Sequence, residues 1–314
     1  MMQKSIDQIR LLIVCSKNSG KFAPFILDQA AALERAGVKL EFFGVEGKGW
    51  SGYLQNRKHL LNQIATFKPD LIHAHYGLSG LLANLQRKVP VVTTYHGSDI
   101  NDKKVFRFSK LAILLSKHNI FVSKKNLEKA KLKNRFSLLP CGVDLDFFKP
   151  IPKKTAREKM GLPLKDKMVL FSGSFNNQVK NAYLAHQAIE LLHAAYLIEL
   201  RNYSREQVCW LMNAADACIM TSRTEGSPQF IKEAMACNCP VVSVEVGDVA
   251  EVMGDTDGCF IADYTPEDLA GKLELAVKRK KTMGGRQRLI ELNLDNQIIA
   301  THLIQIYSNL IQKK

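Results

Sequence analysis

Two successive doubly wound α/β domains are the architecture this sequence predicts, and three observations predict it. The chain has 314 residues, too many for one ordinary core and about enough for two of ~100 to 200 residues each. Short apolar, β-branched runs alternate with helical patterns, which is the rhythm of βαβ units and a parallel sheet. A Pro- and Lys-rich stretch at 149–154 interrupts the rhythm, and the same architecture then begins again.

The first series runs strand 9–15, helix 25–35, strand 38–43, helix 54–67, strand 71–74, helix 78–86 and strand 89–94. The second runs strand 168–172, helix 182–193, strand 197–200, helix 205–214, strand 217–220, helix 230–237 and strand 241–244. Between them lies LLPCGVD at 138–144, rich in turn formers. The boundary is therefore placed near residue 148, with a first domain of 1–148 and a second of 149–294. From 295 to 314 a final helix carries Ile299, Leu303, Ile306 and Leu310 on one stripe; the stripe has to dock, and the first domain is the candidate. Two such domains facing each other create a cleft at the carboxyl ends of their strands, where ligands of this architecture bind.

Hydrophobic residues make up 46% of the chain and charged residues 24%, the balance of a globular protein without low-complexity tracts. The longest apolar run near the start is 11–15. That is far below the ~20 residues of a membrane span or the ~7 to 15 of a signal-peptide core, so a cytoplasmic protein is expected. The seven cysteines form no C-x-x-C spacing and read as reduced, small, apolar groups. A formal net charge of +14 calls for an acidic partner, and nucleic acid, anionic lipid and phosphorylated small molecules all fit the charge alone. Segment 103–135 concentrates it, with eleven Lys or Arg against a single acid, Glu128. Within it Val105, Phe106, Phe108, Leu111, Leu114 and Leu115 recur at three- and four-residue spacing. A basic amphipathic helix lying on the anionic inner face of a membrane fits that pattern, and so does a solvated face on a core helix. No nucleic-acid motif is present, which argues against that partner.

The chemistry concentrates at 225–240, EGSPQFIKEAMACNCP. Ser227 suits an N-cap and Pro228 a first helical position, where its missing N–H would have had no partner. The N–H groups of Gln229 and Phe230 then point out of the helix start with the positive end of the macrodipole behind them, an anion site. Asn238 stands where a helix stop needs a left-handed residue. Glu225 and Glu233 flank this site without being needed to cap it. They would repel a diphosphate unless they contact something neutral, for which sugar hydroxyls are the natural choice.

This segment resembles the signature of the retaining glycosyltransferases of family 4, in which a glutamate, seven residues and a second glutamate mark the nucleotide-sugar site of a two-Rossmann GT-B fold. The resemblance continues in PDLIHAH at 69–75, TYHGSD at 94–99, CGVD at 141–144, FSGS at 171–174 with Lys180 and Asn181, and NAADA at 213–217. It implies a glycosyltransferase that moves a sugar from a nucleotide-diphosphate donor to a glycan or lipid-linked acceptor with retention, needing neither cofactor nor metal. Glu225 would touch hydroxyls of the donor sugar and Glu233 the ribose; Lys180 would neutralise the leaving diphosphate. Backbone amides of Gly226, Ser227, Gln229 and Phe230 would hold diphosphate and sugar, with Gly173 and Ser174 lining the donor. His96 would lie beside the reacting sugar.

The resemblance also implies an acceptor side, at Ser19 and Gly20 after the first strand, at His75, and at Asp99, which either orients His96 or meets the acceptor. His73 and His75 share one strand face and with His96 could be read as metal ligands; structural or acceptor-side roles fit the fold better. The sequence departs from the family where Ser174 replaces its phosphate-binding arginine, for which Asn176, Asn177 and Arg223 are candidate substitutes. The second domain is also shortened after helix 182–193, which leaves Arg201, Asn202 and Tyr203 as candidates for base contact. Those departures keep open an alternative, a non-catalytic nucleotide-sugar or glycan-binding protein of the same fold.

Overall fold

The computed structural model describes residues 9–192, 195–279 and 284–312. By internal contacts the chain forms two units, one of Met1–Gly142 with Asn296–Lys314 and one of Val143–Asp295. In chain order the first unit holds β1 (Arg10–Ser16), α1 (Pro24–Arg35), β2 (Lys39–Val45), α2 (Gly49–Gln55), α3 (Arg57–Phe67), β3 (Leu71–His75), α4 (Gly77–Asn84), β4 (Val91–Tyr95), α5 (Ser98–Asn101), α6 (Lys103–Leu115), β5 (His118–Phe121), α7 (Lys124–Ala130) and β6 (Phe136–Leu138). The second holds α8 (Lys153–Met160), β7 (Lys167–Phe171), α9 (Ala182–Leu191), β8 (Ala195–Glu199), α10 (Arg205–Ala214), β9 (Ala217–Met220), α11 (Gln229–Ala236), β10 (Val241–Val244), α12 (Val249–Met253), β11 (Cys259–Ala262), α13 (Pro266–Lys278) and α14 (Gly284–Glu291). The chain then returns to the first unit as α15 (Asn296–Gln312).

Each unit is built on one parallel sheet, ordered β2-β1-β3-β4-β5-β6 in the first and β11-β10-β9-β7-β8 in the second. Strands covered on both sides read as continuous apolar runs whose alternate residues serve opposite faces. In β1, Leu11, Ile13 and Cys15 pack with α1, whereas Leu12 and Val14 pack with α3 and α4. In β7, Met168 and Leu170 pack with α10 and α11, and Val169 and Phe171 with α9 and α13. The sequence reading found most of these strands within one or two residues. It passed over β5 inside the basic segment, β6 directly after it and β11 near the end of the second unit, all too short to show a period. The 54–67 helix is two helices, because the Asn56 side chain turns back to bond the carbonyls of Glu46, Gly52 and Tyr53. Tyr53 is buried in the core beside Trp50. Helix α9 is described as far as Leu191 and Leu192 caps it, so His193 lies outside the described residues.

The unit boundary falls at Gly142 and Val143 rather than at 148. Val143 N donates to Leu294 O at 2.9 Å, and Arg286 donates to the carbonyls of Leu145 and Phe148 at 2.8 Å each, so 143–148 pack with the second core. That core is tied at its base by Asp216, which accepts from Arg157 at 2.8 Å, Lys153 at 2.5 Å and Met168 N at 2.8 Å. Helix α15 docks on the β1–α1 face of the first unit through Ile299, Ala300, Leu303, Ile304 and Tyr307, with Ile306 and Leu310 half-buried at the edge. Its Tyr307 hydroxyl bonds His73 Nδ1 at 2.6 Å, and His73 Nε2 bonds Thr94 Oγ1 at 2.7 Å.

Two predictions follow from these buried polar contacts. Asp216→Asn leaves the Arg157 guanidinium, 3% exposed, without its carboxylate, and should lower stability by about 3 to 5 kcal/mol in urea unfolding. The second concerns acid. Burial lowers His73 to about 3, and holds His75 well below the usual imidazole range with His73 and His96 adding to the effect. Unfolded histidines take up a proton below pH ~6.5 while these do not, so stability falls as pH drops below that value. Asp99 opposes the trend: burial raises it to about 6 against the amide hydrogen bonds it accepts, so in the folded state it binds its proton first. His73→Phe should reduce the stability lost on acidification by up to ~1.4 kcal/mol per pH unit below ~6.5; an undiminished loss would mean that folded His73 is already protonated.

Candidate functional site

In a parallel sheet, the crevice for ligands opens outside the carboxyl ends of the two strands where the winding direction reverses. In the second unit those strands are β7 and β9, whose following helices lie on opposite faces: α9 packs with Val169 and Phe171, α11 with Met168 and Leu170. The loops leaving these strands, 172–181 and 221–228, carry Lys180 and Glu225. Lys180 Nζ donates to Glu225 Oε1 at 2.8 Å, both side chains about one-fifth exposed. The lysine stem runs over Gly173, where an added Cβ would meet Lys180 Cγ at 3.3 Å. Thr221 Oγ1 bonds the carbonyls of Lys180 and Asn181 at 3.0 and 2.9 Å, which pins the first loop to the end of β9.

The turn between Glu225 and α11 differs from expectation in one respect. Pro228, with φ −69°, is the N-cap, and it supplies no side-chain cap. Ser227 does not cap the helix because its hydroxyl is engaged elsewhere, donating to Asp248 Oδ2 at 2.5 Å and accepting from Lys232 Nζ at 2.7 Å. The first amides of α11 lack intrahelical acceptors, with the positive end of the helix dipole behind them. Phe230 is buried under the turn, and Asn238 closes the helix at φ 52°. Glu233 lies within the helix, 8% exposed, and its Oε1 accepts from Arg205 Nη1 at 2.5 Å. The Arg205 guanidinium also stacks on Phe148 at 4.6 Å.

Sequence reasoning missed Arg205. It nominated Arg201 and Tyr203 in the loop before α10, both exposed, with Asn202 left-handed at φ 61°. Helix 205–214 was read correctly, with the Ser204–Gln207 capping box starting α10 at Arg205, but the pairing of Arg205 with Glu233 comes from tertiary packing, for which the sequence carries no local signal. Ser174 caps its own loop, accepting from Asn176 N at 3.3 Å. Asn177 and Arg223 line an open pocket of about 550 Å³ beside the lysine loop, with Phe175, Asn181 and Tyr183. Ser172 Oγ and Ser222 Oγ, just beyond β7 and β9, are enclosed with no hydrogen-bond partner among the described residues.

In the first unit the reversal lies between β1 and β3. Ser19 and Gly20 occupy the exposed loop after β1, with Gly20 at φ 79° and Ser19 Oγ donating to Lys21 O at 2.9 Å. His75 ends β3, 1% exposed, its Nδ1 3.0 Å from His96 Nε2. His96 Nδ1 faces Cys141 Sγ at 3.6 Å, and the ring sits among Phe25 and Tyr76. Tyr76, at φ 72°, holds a backbone conformation that few non-glycine residues adopt, the kind of local strain that collects at functional sites. Asp99 is 2% exposed, and both its oxygens accept backbone amides, from His96 and Gly97 on one and Gly77 on the other, each at 3.0 Å. Of the two roles expected of it, orienting His96 and meeting the acceptor, the geometry supports the first: it organises the turn carrying His96.

Comparison with known proteins places this geometry. Residues 10–147 match the model of Glycosyltransferase Family 4, and residues 198–278 that of Glycosyl transferases group 1. The putative teichuronic acid biosynthesis glycosyltransferase TuaC of Bacillus subtilis is 29% identical over 64% of this chain, and the match spans about 60% of that protein's length. The uncharacterized glycosyltransferase MJ1178 of Methanocaldococcus jannaschii is 30% identical over 68% of both chains. Among solved structures, sucrose-phosphate synthase from Thermosynechococcus elongatus superposes with a TM-score of 0.86 at 17% identity, covering 98% of this chain and 100% of that one. Anabaena HepE, crystallised with UDP, does so at 0.73 and 16%, covering 96% and 100%. At those identities the structural likeness shows the GT-B fold alone. Taken with the relatives and the glutamate pair around an amide-lined turn, it means that the chain belongs to glycosyltransferase family 4.

Proposed function

We propose that the protein transfers a sugar from a nucleotide-diphosphate donor to a hydroxyl of a lipid-linked or polysaccharide acceptor, with retention at the anomeric carbon and without a metal ion. The observation that carries this reading is the Lys180–Glu225 pair at the β7/β9 switch point, beside the amide-rich start of α11. Lys180 and those amides compensate the charge that grows on the departing diphosphate, and Glu225 offers its carboxylate to sugar hydroxyls. Glu233, steadied by Arg205, takes the ribose. The acceptor oxygen bonds to the anomeric carbon on the face from which the phosphate oxygen leaves, and the acceptor's proton passes to that phosphate. Positioning and leaving-group stabilisation then suffice without a protein nucleophile. The Bacillus relative is named for teichuronic acid biosynthesis, and HepE has been crystallised with UDP-glucose; both support a polysaccharide acceptor and a sugar-nucleotide donor.

A membrane-facing role is supported by α6. Its outer side presents Lys103, Lys104, Arg107 and Lys110 with Leu111 and Leu114, 50% and 65% exposed, and Lys117 follows directly. Cations flanking exposed leucines match an anionic lipid surface. No helix among the described residues is long and apolar enough to cross a membrane.

Thermal-shift measurements with UDP-, GDP-, ADP- and CMP-sugars should single out one donor class, since a ligand at 100 times its Kd adds about 2.7 kcal/mol of apparent stability. With that donor, Glu225→Ala and Lys180→Ala should each lower transfer or donor hydrolysis by ~10² or more, and wild-type activity should survive EDTA. Wild-type turnover no higher than that of the variants would sink the catalytic reading and leave a nucleotide-sugar binder. In vesicle flotation, the protein should prefer anionic over neutral lipid and lose most of that preference on Leu111→Gln with Leu114→Gln. Equal binding to both lipids would remove the membrane role.

A further inference from the structure

The loop leaving β10 meets the donor turn through a chain of enclosed polar groups that the reaction outlined above does not use. Lys232 on α11 is completely buried, next to Ile231 and one turn or less from Ala234, Met235 and Ala236. An ammonium in such a place is costly unless a specific interaction holds it. Its Nζ donates to Ser227 Oγ at 2.7 Å, and the same hydroxyl donates to Asp248 Oδ2 at 2.5 Å. Ser227 thus has its single proton and an accepting lone pair engaged from opposite sides, which fixes its rotamer. Asp248 is 4% exposed, and its second oxygen has no hydrogen-bond partner among the described residues. Burial pushes its carboxyl up, and Lys232 and the Ser227 hydroxyl pull it back down. Beside it the backbone of Gly247, at φ +58°, lies against the turn so closely that a Cβ would come within 2.4 Å of Gly226 O.

We propose that Lys232 and Asp248 are positioning residues for the donor: gripping Ser227 from both sides, they hold its amide and those of Gln229 and Phe230 in the orientation that receives the diphosphate. The inference rests on the donor reading of this turn. It assigns a reason to a lysine in the interior of the signature helix, where an apolar residue would pack without cost. It also explains why the hydroxyl at Ser227 is unavailable as a helix cap: Lys232 and Asp248 hold it. Pro228, which has no N–H and a fixed φ, stiffens the same turn from within.

Three variants test the clamp: Lys232→Met, Asp248→Asn and the two combined. Each is followed by its thermal midpoint, by hydrogen exchange at the amides of Gly226, Ser227, Gln229 and Phe230, and by calorimetric binding of UDP, GDP and ADP. Each single variant strands a buried charge and should lower the midpoint, speed exchange at the turn about tenfold and weaken nucleotide binding about tenfold. The double variant removes both charges, so its midpoint should recover while fast exchange and weak binding persist. Recovery of all three properties together would show that the pair only stabilises the fold, and unchanged exchange in every variant would equally overturn the clamp. Wild-type protein that binds none of the three nucleotides and none of their sugar conjugates would defeat the donor reading, and the exchange data would then decide the clamp by themselves.

Discussion

The chemistry of the second unit depends on a constraint of topology. Strand β7 lies between β8 and β9, and right-handed crossovers send α9 and α11 to opposite faces of the sheet. The two loops that leave β7 and β9 must therefore separate as they rise from the sheet. Near the sheet the main chain still bridges them, Arg223 N donating to Val179 O at 2.8 Å. Farther along the loops the link is a pair of side chains, Lys180 from one loop and Glu225 from the other. The same reversal between β1 and β3 in the first unit leaves Ser19 and Gly20 on one loop and puts His75 at the end of the facing strand.

Fold class was legible because parallel strands covered on both sides leave nearly continuous apolar runs that are buried on both faces. The run at 11–15 is wholly apolar, and those at 71–74 and 241–244 are interrupted only by His73 and Ser243, which are buried too. The turn before α11 was legible for a different reason: Gly226, Pro228 and the two glutamates are residue types whose backbone or charge behaviour is nearly independent of tertiary context. Elements that depend on long-range contacts were not legible. Strands β5 and β6 have four and three residues and sit among lysines that face outward. The unit boundary was set by Arg286, whose two hydrogen bonds reach back more than a hundred residues to Leu145 and Phe148. No local pattern carries that information.

The site shows the same division. Glu225, Glu233, Lys180 and His96 stand out in the sequence by spacing and motif order. Arg205, Lys232 and Asp248 do not, since each is marked only by the residue it touches in the fold, Glu233 for Arg205 and Ser227 for the other two. For Asp99 the sequence leaves two roles open, orienting His96 or meeting the acceptor, and the three backbone amides that claim its oxygens favour the first. For a buried carboxylate, what hydrogen-bonds it decides its task, and main-chain donors mark an organiser of structure.

Ser174 in place of an arginine changes the electrostatics of donor binding in a way the resting geometry makes intelligible. A lysine waiting alone in a half-closed crevice would have to be stripped of water without compensation before the diphosphate arrived. Here Lys180 rests on Glu225, so neither charge is left unmatched. In the proposed reaction the donor takes both partners at once: its phosphate oxygens replace the carboxylate around Lys180, and its sugar hydroxyls replace the ammonium around Glu225. Each group exchanges one good hydrogen-bond partner for another, so the exchange costs little, but only a ligand presenting phosphate and hydroxyls at matching positions can complete it. A free sugar or a free nucleotide would break the ion pair and satisfy only one side. In the proposed reaction the pairing of Lys180 with Glu225 would thus act as a selectivity element for the intact sugar nucleotide, which an additional arginine would weaken by holding any phosphate that entered.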